Sequence, residues 1–479
     1  MNKKGFDWEE KTGLELHQVQ KTLNLALSTG ADFAELFLEY VLSLSILMED
    51  DIIKETSENV SLGLGIRVIK KDRTGYAYTN ELSLEKIKSA ALSAAAICQL
   101  RPEKSSPLIL KKINTASPDR NVFVGQKPAT SATLANKIDL VKRAYQQAFK
   151  HDQSVKKVQV AYGESMQQVW IINSEGLSIK DTRPMARLAT IALAEKNGRR
   201  ETGFFGGGGR VGLDYFNISL TPETIGAEAA REACLLLEAT EAPAGEYPVV
   251  LSPGHSGILV HEAVGHLLEA DFIRKKTSIF SDSLGQKVAS ELITIYDDPN
   301  LPGLRGSYNL DDEGTRPEKT LLIDRGRVVD FLTDRLSARL LKKQNNGHGR
   351  RQDYTCWPLP RMSNTYIEAG DQDADEIIQS VKKGLYVSQL SGGQVEDSGQ
   401  FTFSISLGYL IENGRLTRPV SQATLIGHSF DILQKVEMVG SDLDFGLQTG
   451  TCGKEGQEVP VADGCPTLKI KAMTIGGTK

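Results

Sequence analysis

The chain has 479 residues, with a hydrophobic fraction of 40% and a charged fraction of 24%, which are ordinary values for a globular protein with a sizeable core. Its net charge of -5 argues against nucleic acid as a direct partner, and no stretch is long and apolar enough to span a bilayer. The amino terminus lacks the apolar segment of a secretory signal, so we expect a cytoplasmic protein whose five scattered cysteines are reduced.

Apolar spacing predicts that helices and strands are mixed in the first half of the chain. Residues 13–28 have the periodicity of an amphipathic helix, whereas residues 35–48 alternate as a strand does. Residues 51–79 are typical of short strands, with turns predicted at Glu58–Asn59 and Asp72–Gly75. The further predicted elements are a helix at 83–98, a long connection at 101–130, a helix at 133–151, strands at 156–200 with turns at 173–176 and 196–198, and a helix from the cap Thr221 to about Leu237.

A change of composition predicts a domain boundary near residue 240. The segment TEAPAGEYP, residues 240–248, interrupts all periodicity. We therefore predict an α+β fold with an N-terminal mixed domain at 1–240 and a β-rich, antiparallel C-terminal domain at 241–479. In the second domain the predicted elements are hairpins at 320–332 and 401–420, with turns at Arg325–Gly326 and Asn413–Gly414, and helices near 334–343 and 374–383.

The most informative motif is HEAVGH at residues 261–266, on a predicted helix that follows a strand and a turn. The familiar zinc motif H-E-x-x-H has its two histidines four residues apart, on one helix face. Here the separation is five residues, and on a regular helix the two imidazoles would diverge by about 140°. A π-bulge inserts one residue into a helical turn and would bring the rings together, and Gly265 weakens the regular helix at that point.

The residues alone leave two interpretations of His261 and His266 open. Both rings can hydrogen-bond to neighbours on a partly buried helix without any metal. Against this, Glu262 is costly to bury unpaired, and metal-assisted hydrolysis uses such a carboxylate as its general base. A catalytic zinc also needs a third protein ligand. The candidates are Glu269, Asp271, the distant Cys452, which lies among small turn-forming residues, and His255 in the preceding turn.

A glycine-rich run at 203–212 contains G-x-G-x-x-G at Gly207, Gly209 and Gly212. A dinucleotide-binding fingerprint must leave a strand and open a helix, and the residues behind this run have no helical periodicity. We therefore predict a flexible or tightly turned loop near substrate, without nucleotide binding.

Several segments together carry a family resemblance. HEAVGHLLEAD and GTCGKEGQEVP resemble the TldD/PmbA family of metalloproteases, whose zinc-bearing branch has H-E-x-x-x-H and a later cysteine ligand. Segments such as EDDIIKETSENVSLGLGIRVI, NLDDEGTRPEKTLLIDRGRV and PVSQATLIGHSFDILQKVEMVGSDL follow in family order, so the resemblance covers nearly the whole chain. It implies a zinc-dependent peptidase for unfolded or extended peptides, with His261, His266 and Cys452 as Zn²⁺ ligands and Glu262 as general base.

The resemblance also implies an assembly, either a homodimer or a heterodimer with a TldE/PmbA-like subunit that lacks the motif. We expect the dimer to enclose the site, because a broadly reactive peptidase must be kept from folded proteins. An extended substrate would add to a sheet edge. The strand at 401–410 is one such edge, or else a central core strand. The alternative function is a non-catalytic, gyrase-modulator-like regulatory protein with a structural zinc, which a fourth protein ligand would close.

Overall fold

Helices and strands are mixed throughout the computed structural model, which describes residues 6–98, 114–396, 398–447 and 450–476. The helices of the first half are α1 (Trp8–Thr12), α2 (Leu16–Leu27), α3 (Leu84–Cys98), α4 (Leu134–Lys150), α5 (Tyr215–Ile218) and α6 (Pro222–Leu237). Its strands are β1 (Phe33–Glu49), β2 (Ile52–Lys70), β3 (Arg73–Thr79), β4 (Asn114–Ala116), β5 (Val155–Asn173), β6 (Leu177–Lys196) and β7 (Arg199–Gly209). The predicted α+β class is confirmed.

The second half contains shorter elements. Its helices are α7 (Gly257–Val260), α8 (Ala270–Lys275), α9 (Arg335–Leu341), α10 (Ala374–Gln379) and α11 (Ser429–Gln434). Its strands are β8 (Thr240–Glu241), β9 (Gly245–Leu251), β10 (Ile295–Asp297), β11 (Thr320–Asp324), β12 (Arg327–Val328), β13 (Gly349–Arg350), β14 (Leu359–Pro360), β15 (Asn364–Ile367), β16 (Lys383–Val395), β17 (Gln400–Glu412), β18 (Arg415–Ser421), β19 (Ala423–His428), β20 (Val436–Val439), β21 (Thr451–Lys454), β22 (Gln457–Pro460), β23 (Ala462–Gly464) and β24 (Leu468–Gly476).

The first half is built on one seven-stranded sheet in the order β3-β2-β1-β5-β6-β4, with β7 also paired to β6. Helices α1 to α3 pack against β1 to β3 through buried residues such as Leu23, Leu64 and Ala91. Helices α4 and α6 pack against β5 to β7, with Val141 and Ala230 in the core between them. Each helix therefore buries its apolar stripe against the sheet, which is the usual way for an α+β fold to form its core.

Local sequence signals are confirmed where they are strong. Helix α6 begins with the Thr221 hydroxyl accepting from the backbone of Thr224 and with a proline in its first turn. The two predicted hairpin turns, Arg325–Gly326 and Asn413–Gly414, have positive φ at both residues, as a tight antiparallel hairpin requires. Part of the predicted long connection, at 101–113, lies outside the described residues.

The turn predicted at Glu58–Asn59 is wrong. Strand β2 runs unbroken through these residues, which pair with Leu44 and Ser43 of β1. This half of β2 is largely exposed, so polar side chains are tolerated there while the backbone hydrogen bonds to β1 continue. The turn predicted at Asp72–Gly75 is present, but it lies at Lys71–Asp72, between β2 and β3.

The loop predicted at 203–212 is also wrong over most of its length, because Gly203 to Gly209 belong to strand β7. A Cβ atom on Gly206 would lie 2.6 Å from the Cβ of Ala189 on β6, and one on Gly203 would lie 2.2 Å from the carbonyl oxygen of Ala229 on α6. The glycines therefore permit close packing of β7 between its neighbouring strand and helix, which is a role that composition alone does not reveal.

A closed barrel forms the core of the second half. Strands β16, β9, β24, β19 and β17 follow in that order, and pairing of β17 with β16 closes the ring. Strand β17 pairs with β16 along one side and with β19 and β18 along the other, so the central-core interpretation is confirmed and the edge interpretation is wrong. Most pairs are antiparallel as predicted, with parallel pairing of β9 to β16, β8 to β18 and β15 to β23.

Buried ion pairs connect the two halves of the chain. Arg67 on β2 contacts Glu313, and Arg183 on β6 contacts Asp312, with all four side chains buried. Both partners of such a pair must be present, because an unpaired buried charge is strongly destabilising.

The division into domains at 240/241 stays a prediction. Among the described residues, no helix is both long and apolar enough to cross a bilayer.

Candidate metal centre

The helix that carries HEAVGH contains the irregularity that its spacing predicts. Residues His261–Gly265 form a π-helical turn, in which the backbone N–H of His266 donates to the carbonyl of His261, five residues earlier. The two imidazole rings consequently lie with centroids 5.0 Å apart and planes at 86°. The predicted bulge near Val264 and Gly265 is therefore confirmed, and the two histidines share one side of the helix.

Close packing holds this helix in place. Val260, Val264 and Leu268 are fully buried in the core that includes the barrel strands. A Cβ atom on Gly265 would lie 1.9 Å from the Sδ of Met362, so glycine is needed for the present packing.

Cys452 lies beside the two imidazoles, although it is far away in the sequence. It lies on β21, which forms a hairpin with β22. Its Sγ is 3.4 Å from the Nε2 of His266, and the candidate ligand atoms of His261, His266 and Cys452 all lie within 4.8 Å of one another. The buried Arg361 side chain donates to the carbonyl oxygen of Cys452 at 2.6 Å and so positions this strand.

Two carboxylates contact the other nitrogens of the imidazole rings. Asp463 Oδ1 lies 2.7 Å from Nδ1 of His261, and Glu269 Oε2 lies 3.2 Å from Nδ1 of His266. A carboxylate at Nδ1 fixes the ring orientation and favours Nε2 as the metal-binding atom. Sequence reasoning missed Asp463, and it considered Glu269 as a ligand, whereas Glu269 contacts the nitrogen opposite to the one that faces Cys452.

Lys454 neutralises the acidic residues behind the histidines. Its ammonium group is buried and donates to Glu269 Oε2 at 2.9 Å and to Asp271 Oδ1 at 2.7 Å. Burial opposes ionisation of Glu269, but Lys454 and His266 outweigh it and lower the pKa of Glu269 to about 2. Asp271, the other carboxylate considered as a ligand, therefore contacts a lysine and does not join the group of three.

We expect Lys454→Met to lower the free energy of unfolding by about 3–5 kcal/mol, because it removes the buried cation that Glu269 and Asp271 share. Glu269 then keeps only its contact with His266, and Asp271 keeps only a longer pair of 3.8 Å with the more exposed Lys275. Chemical denaturation of the metal-free protein measures this effect. Lys287→Met is the control, since Lys287 forms an exposed pair with Glu291 that is worth at most about 1 kcal/mol. Equal effects of the two substitutions would contradict a role for Lys454 in stabilising the site.

Glu262 lies between the histidines in sequence and is half-buried. Burial raises its pKa, although the neighbouring His261 and His266 oppose this change. Within the described part of the chain, its carboxylate has no hydrogen-bond or ion-pair partner, so it is available to a substrate or a water molecule. His255, the remaining candidate, is not a member of the group of three.

The donor set fits a zinc ion. Burial raises the pKa of Cys452, but His261 and His266 outweigh it and hold the thiol pKa well below its usual range. A thiolate with two imidazoles is a ligand combination that zinc prefers, and three protein ligands leave one position open. The Nδ1 atom of each ring contacts a carboxylate, and metal-binding histidines usually have such a contact at the nitrogen that does not bind the metal.

Comparisons with known proteins show the family of the chain. Models of PmbA/TldA metallopeptidases match in three parts: domain 1 at residues 34–98, the central domain at 127–237 and the C-terminal domain at 244–477. The chain is 40% identical to a metalloprotease TldD homolog of Haemophilus influenzae, over 97% of this chain and 100% of the relative. It is 26% identical to a zinc metalloprotease TldD homolog of Saccharolobus solfataricus, over 95% and 99% of the two chains.

A solved structure shares the fold. The structure of TldE from Thermococcus kodakarensis matches with a TM-score of 0.76 and 21% identity, over 96% of this chain and 100% of that chain. At this identity the likeness concerns the arrangement of helices and strands.

Proposed function

The chain belongs to the PmbA/TldD family of metallopeptidases, and from this premise we propose that it is a zinc-dependent peptidase. His261, His266 and Cys452 would hold the metal, and Glu262 would be the general base. The observation that carries the proposal is the convergence of the three ligand atoms within 4.8 Å. Glu262 follows His261 directly in the sequence, and its carboxylate has no hydrogen-bond or ion-pair partner in the described part of the chain. The choice of zinc is supported by the donor set and by the name of the Saccharolobus relative.

The side chains of the site have different roles in the proposed hydrolysis. Bound zinc would supply Lewis acidity, which polarises a peptide carbonyl and favours deprotonation of water. Glu262 takes the proton from the attacking water and then delivers it to the leaving amine. Its pKa, raised by burial, suits a group that must both accept and return a proton. Asp463 and Glu269 keep the rings of His261 and His266 oriented throughout.

The number of ligands favours catalysis over the alternative of a regulatory protein with a structural zinc. A structural site is normally closed by four protein ligands, whereas a catalytic site uses three. Among the described residues, the group around His261 has three members. The carboxylates that come near, Glu269 and Asp463, contact the imidazole Nδ1 atoms instead.

Substrate is proposed to bind as an extended chain along β7. This strand pairs with β6 on one side and, within the described residues, with no strand on the other. Backbone hydrogen bonds to such an edge accept many sequences, provided that the substrate is unfolded. Strand β7 therefore replaces β17 as the proposed substrate-binding edge, because β17 is paired on both sides.

The proposed active form is a dimer that encloses the site. The partner would be a second copy or a TldE/PmbA-like subunit, as membership of the PmbA/TldD family suggests. Enclosure would admit a threaded peptide and exclude a folded domain. The interface should be large, at about 2,000 Å² or more in total.

The proposed function is tested by digesting one polypeptide in folded and unfolded form with the zinc-loaded protein, while its particle mass is measured in solution. We expect rapid cleavage of the unfolded form, resistance of the folded form and the mass of a dimer. Chelation should stop cleavage, and added zinc should restore it. Equal cleavage of both forms by a monomer would contradict enclosure, and cleavage that persists without metal would contradict the metallopeptidase.

Zinc uptake is expected to release protons near neutral pH. Burial lowers the pKa of His266, but Glu269 and Cys452 outweigh it and raise the pKa to about 9. The metal-free ring is therefore protonated below that pH and must lose its proton to bind zinc, so affinity should rise with pH up to about 9. Calorimetry in buffers of different ionisation enthalpy measures the release. Glu269→Gln should reduce it, and an affinity independent of pH would contradict the prediction.

A further inference from the structure

A cavity of about 420 Å³ lies beside the candidate metal centre. Its lining includes Asp463, whose carboxylate contacts His261, and Ile258, one helical turn before Glu262. The same lining includes Glu232 of helix α6 and Phe204 of strand β7. The cavity therefore extends from the proposed reaction centre to the strand along which we propose that substrate lies.

Glu232 is a buried carboxylate that the proposed mechanism does not use. Its side chain is only 5% exposed, and one oxygen accepts two long hydrogen bonds of 3.4 Å, from the backbone of Phe204 and the amide of Gln389. Among the described residues no basic side chain lies within ion-pair distance of it. Burial raises its pKa to about 7. The ionised form of a carboxyl group in such a place is costly without a cation, and a cationic ligand would stabilise that form.

The other residues that line the cavity do not supply a positive charge. Of the described residues that border the cavity, Glu232 and Asp463 are acidic and none is lysine or arginine. Burial lowers the pKa of His255, although Asp444 opposes this, so His255 supplies no cation near neutral pH. A second cavity, of about 340 Å³, is different because its four arginines are matched by four acidic residues.

Apart from the two carboxylates, the cavity has several large apolar side chains in its lining. They include Phe204, Ile258, Leu390 and Leu447. A lysine or arginine side chain has the matching character, since its hydrocarbon stem packs on apolar surface while its charged end seeks an anion. We propose that this cavity is a specificity pocket, which receives a basic side chain of an extended peptide substrate close to the scissile bond, with Glu232 as its counter-ion. This inference rests on the proposed peptidase function.

The test measures peptide binding separately from cleavage. Fluorescent decapeptides blocked at both ends, built of alanine and serine, carry one central lysine, norleucine or glutamate. Their affinities are measured by fluorescence anisotropy with the zinc-loaded Glu262→Ala protein in its native assembly. Because a charge-assisted hydrogen bond is gained, lysine should bind at least about tenfold more tightly than norleucine, and glutamate should bind most weakly.

Two further variants identify the residue responsible. Glu232→Gln, which keeps the side-chain shape, should bring the lysine and norleucine peptides to similar affinity. Glu228→Gln is the matched control: it removes the same charge one turn earlier on α6, from a residue paired with Arg231, and should leave the preference unchanged. Similar affinities of the lysine and norleucine peptides for the protein with Glu232 intact would overturn the pocket, and this comparison does not depend on the folding of either variant.

Cleavage by the protein with Glu262 intact separates this inference from the proposed function. Cleavage of all three peptides at equal rates, with equal binding, would leave the peptidase standing and overturn the basic-residue pocket. Preferential binding of lysine that disappears in Glu232→Gln, without any cleavage, would support the pocket and contradict the peptidase.

Discussion

Replacement of Glu262 by alanine is expected to lower the rate of peptide hydrolysis by about a hundredfold to ten-thousandfold, which is the range that a general base contributes. The carboxylate is half-buried, has no partner among the described residues and follows a candidate metal ligand directly in the sequence. It is not a member of the group of three, so zinc content should be unchanged. The prediction thus separates loss of catalysis from loss of metal.

Two measurements on Glu262→Ala are needed, zinc per chain by elemental analysis and the initial rate on an unfolded polypeptide. Glu291→Ala is the control, because Glu291 is an exposed glutamate paired with Lys287. It should keep both zinc and activity. If Glu262→Ala keeps zinc and full activity, Glu262 is not the base, and if the parent protein binds zinc without metal-dependent activity, the structural-zinc alternative gains support.

Replacement of Cys452 by serine is expected to remove tight zinc binding and, with it, hydrolysis. The thiolate contributes the soft ligand of the set, and its charge is stabilised by His261 and His266, which lower its pKa. A hydroxyl does not ionise in this range and is a poor zinc ligand. The affinity for zinc should therefore fall by more than the roughly 10- to 100-fold that loss of an outer contact to a ligand costs.

Zinc affinity is measured by competition with a chelator of known strength. Cys465→Ser is the matched control, since Cys465 is also a fully buried cysteine of the second half, and its thiol donates to the carbonyl of Pro466. This variant should bind zinc as the parent does. Unchanged affinity in Cys452→Ser would transfer the role of third ligand to a carboxylate such as Glu269, which would then have to leave Lys454.

Features that depend on neighbours in the sequence could be predicted from it. The start of helix α6 follows from Thr221 and Pro222, because a side-chain cap and a restricted φ act within one turn. The π-helical turn was predicted on the premise that His261 and His266 share one metal ion, because a five-residue spacing cannot place both rings on one side of a regular helix. Family resemblance supplied Cys452 as a ligand, which spacing alone had left as one candidate among several.

Features that depend on distant contacts were decided by the tertiary structure. Asp463 contacts His261 across 202 positions of sequence, and no local pattern distinguishes this aspartate from others. Glu269 is a candidate ligand by its position in the sequence, but in the fold it contacts Lys454, which is 185 positions away and neutralises it. Whether β17 is an edge or a core strand depends on closure of the barrel by β16 and β19. The sequence by itself determined most of the elements, the motif and the family, since these depend on local geometry and residue order. The pairing of β7, the orientation of the ligands and the charge of the adjoining cavity depend on which distant groups the fold brings within a few ångströms.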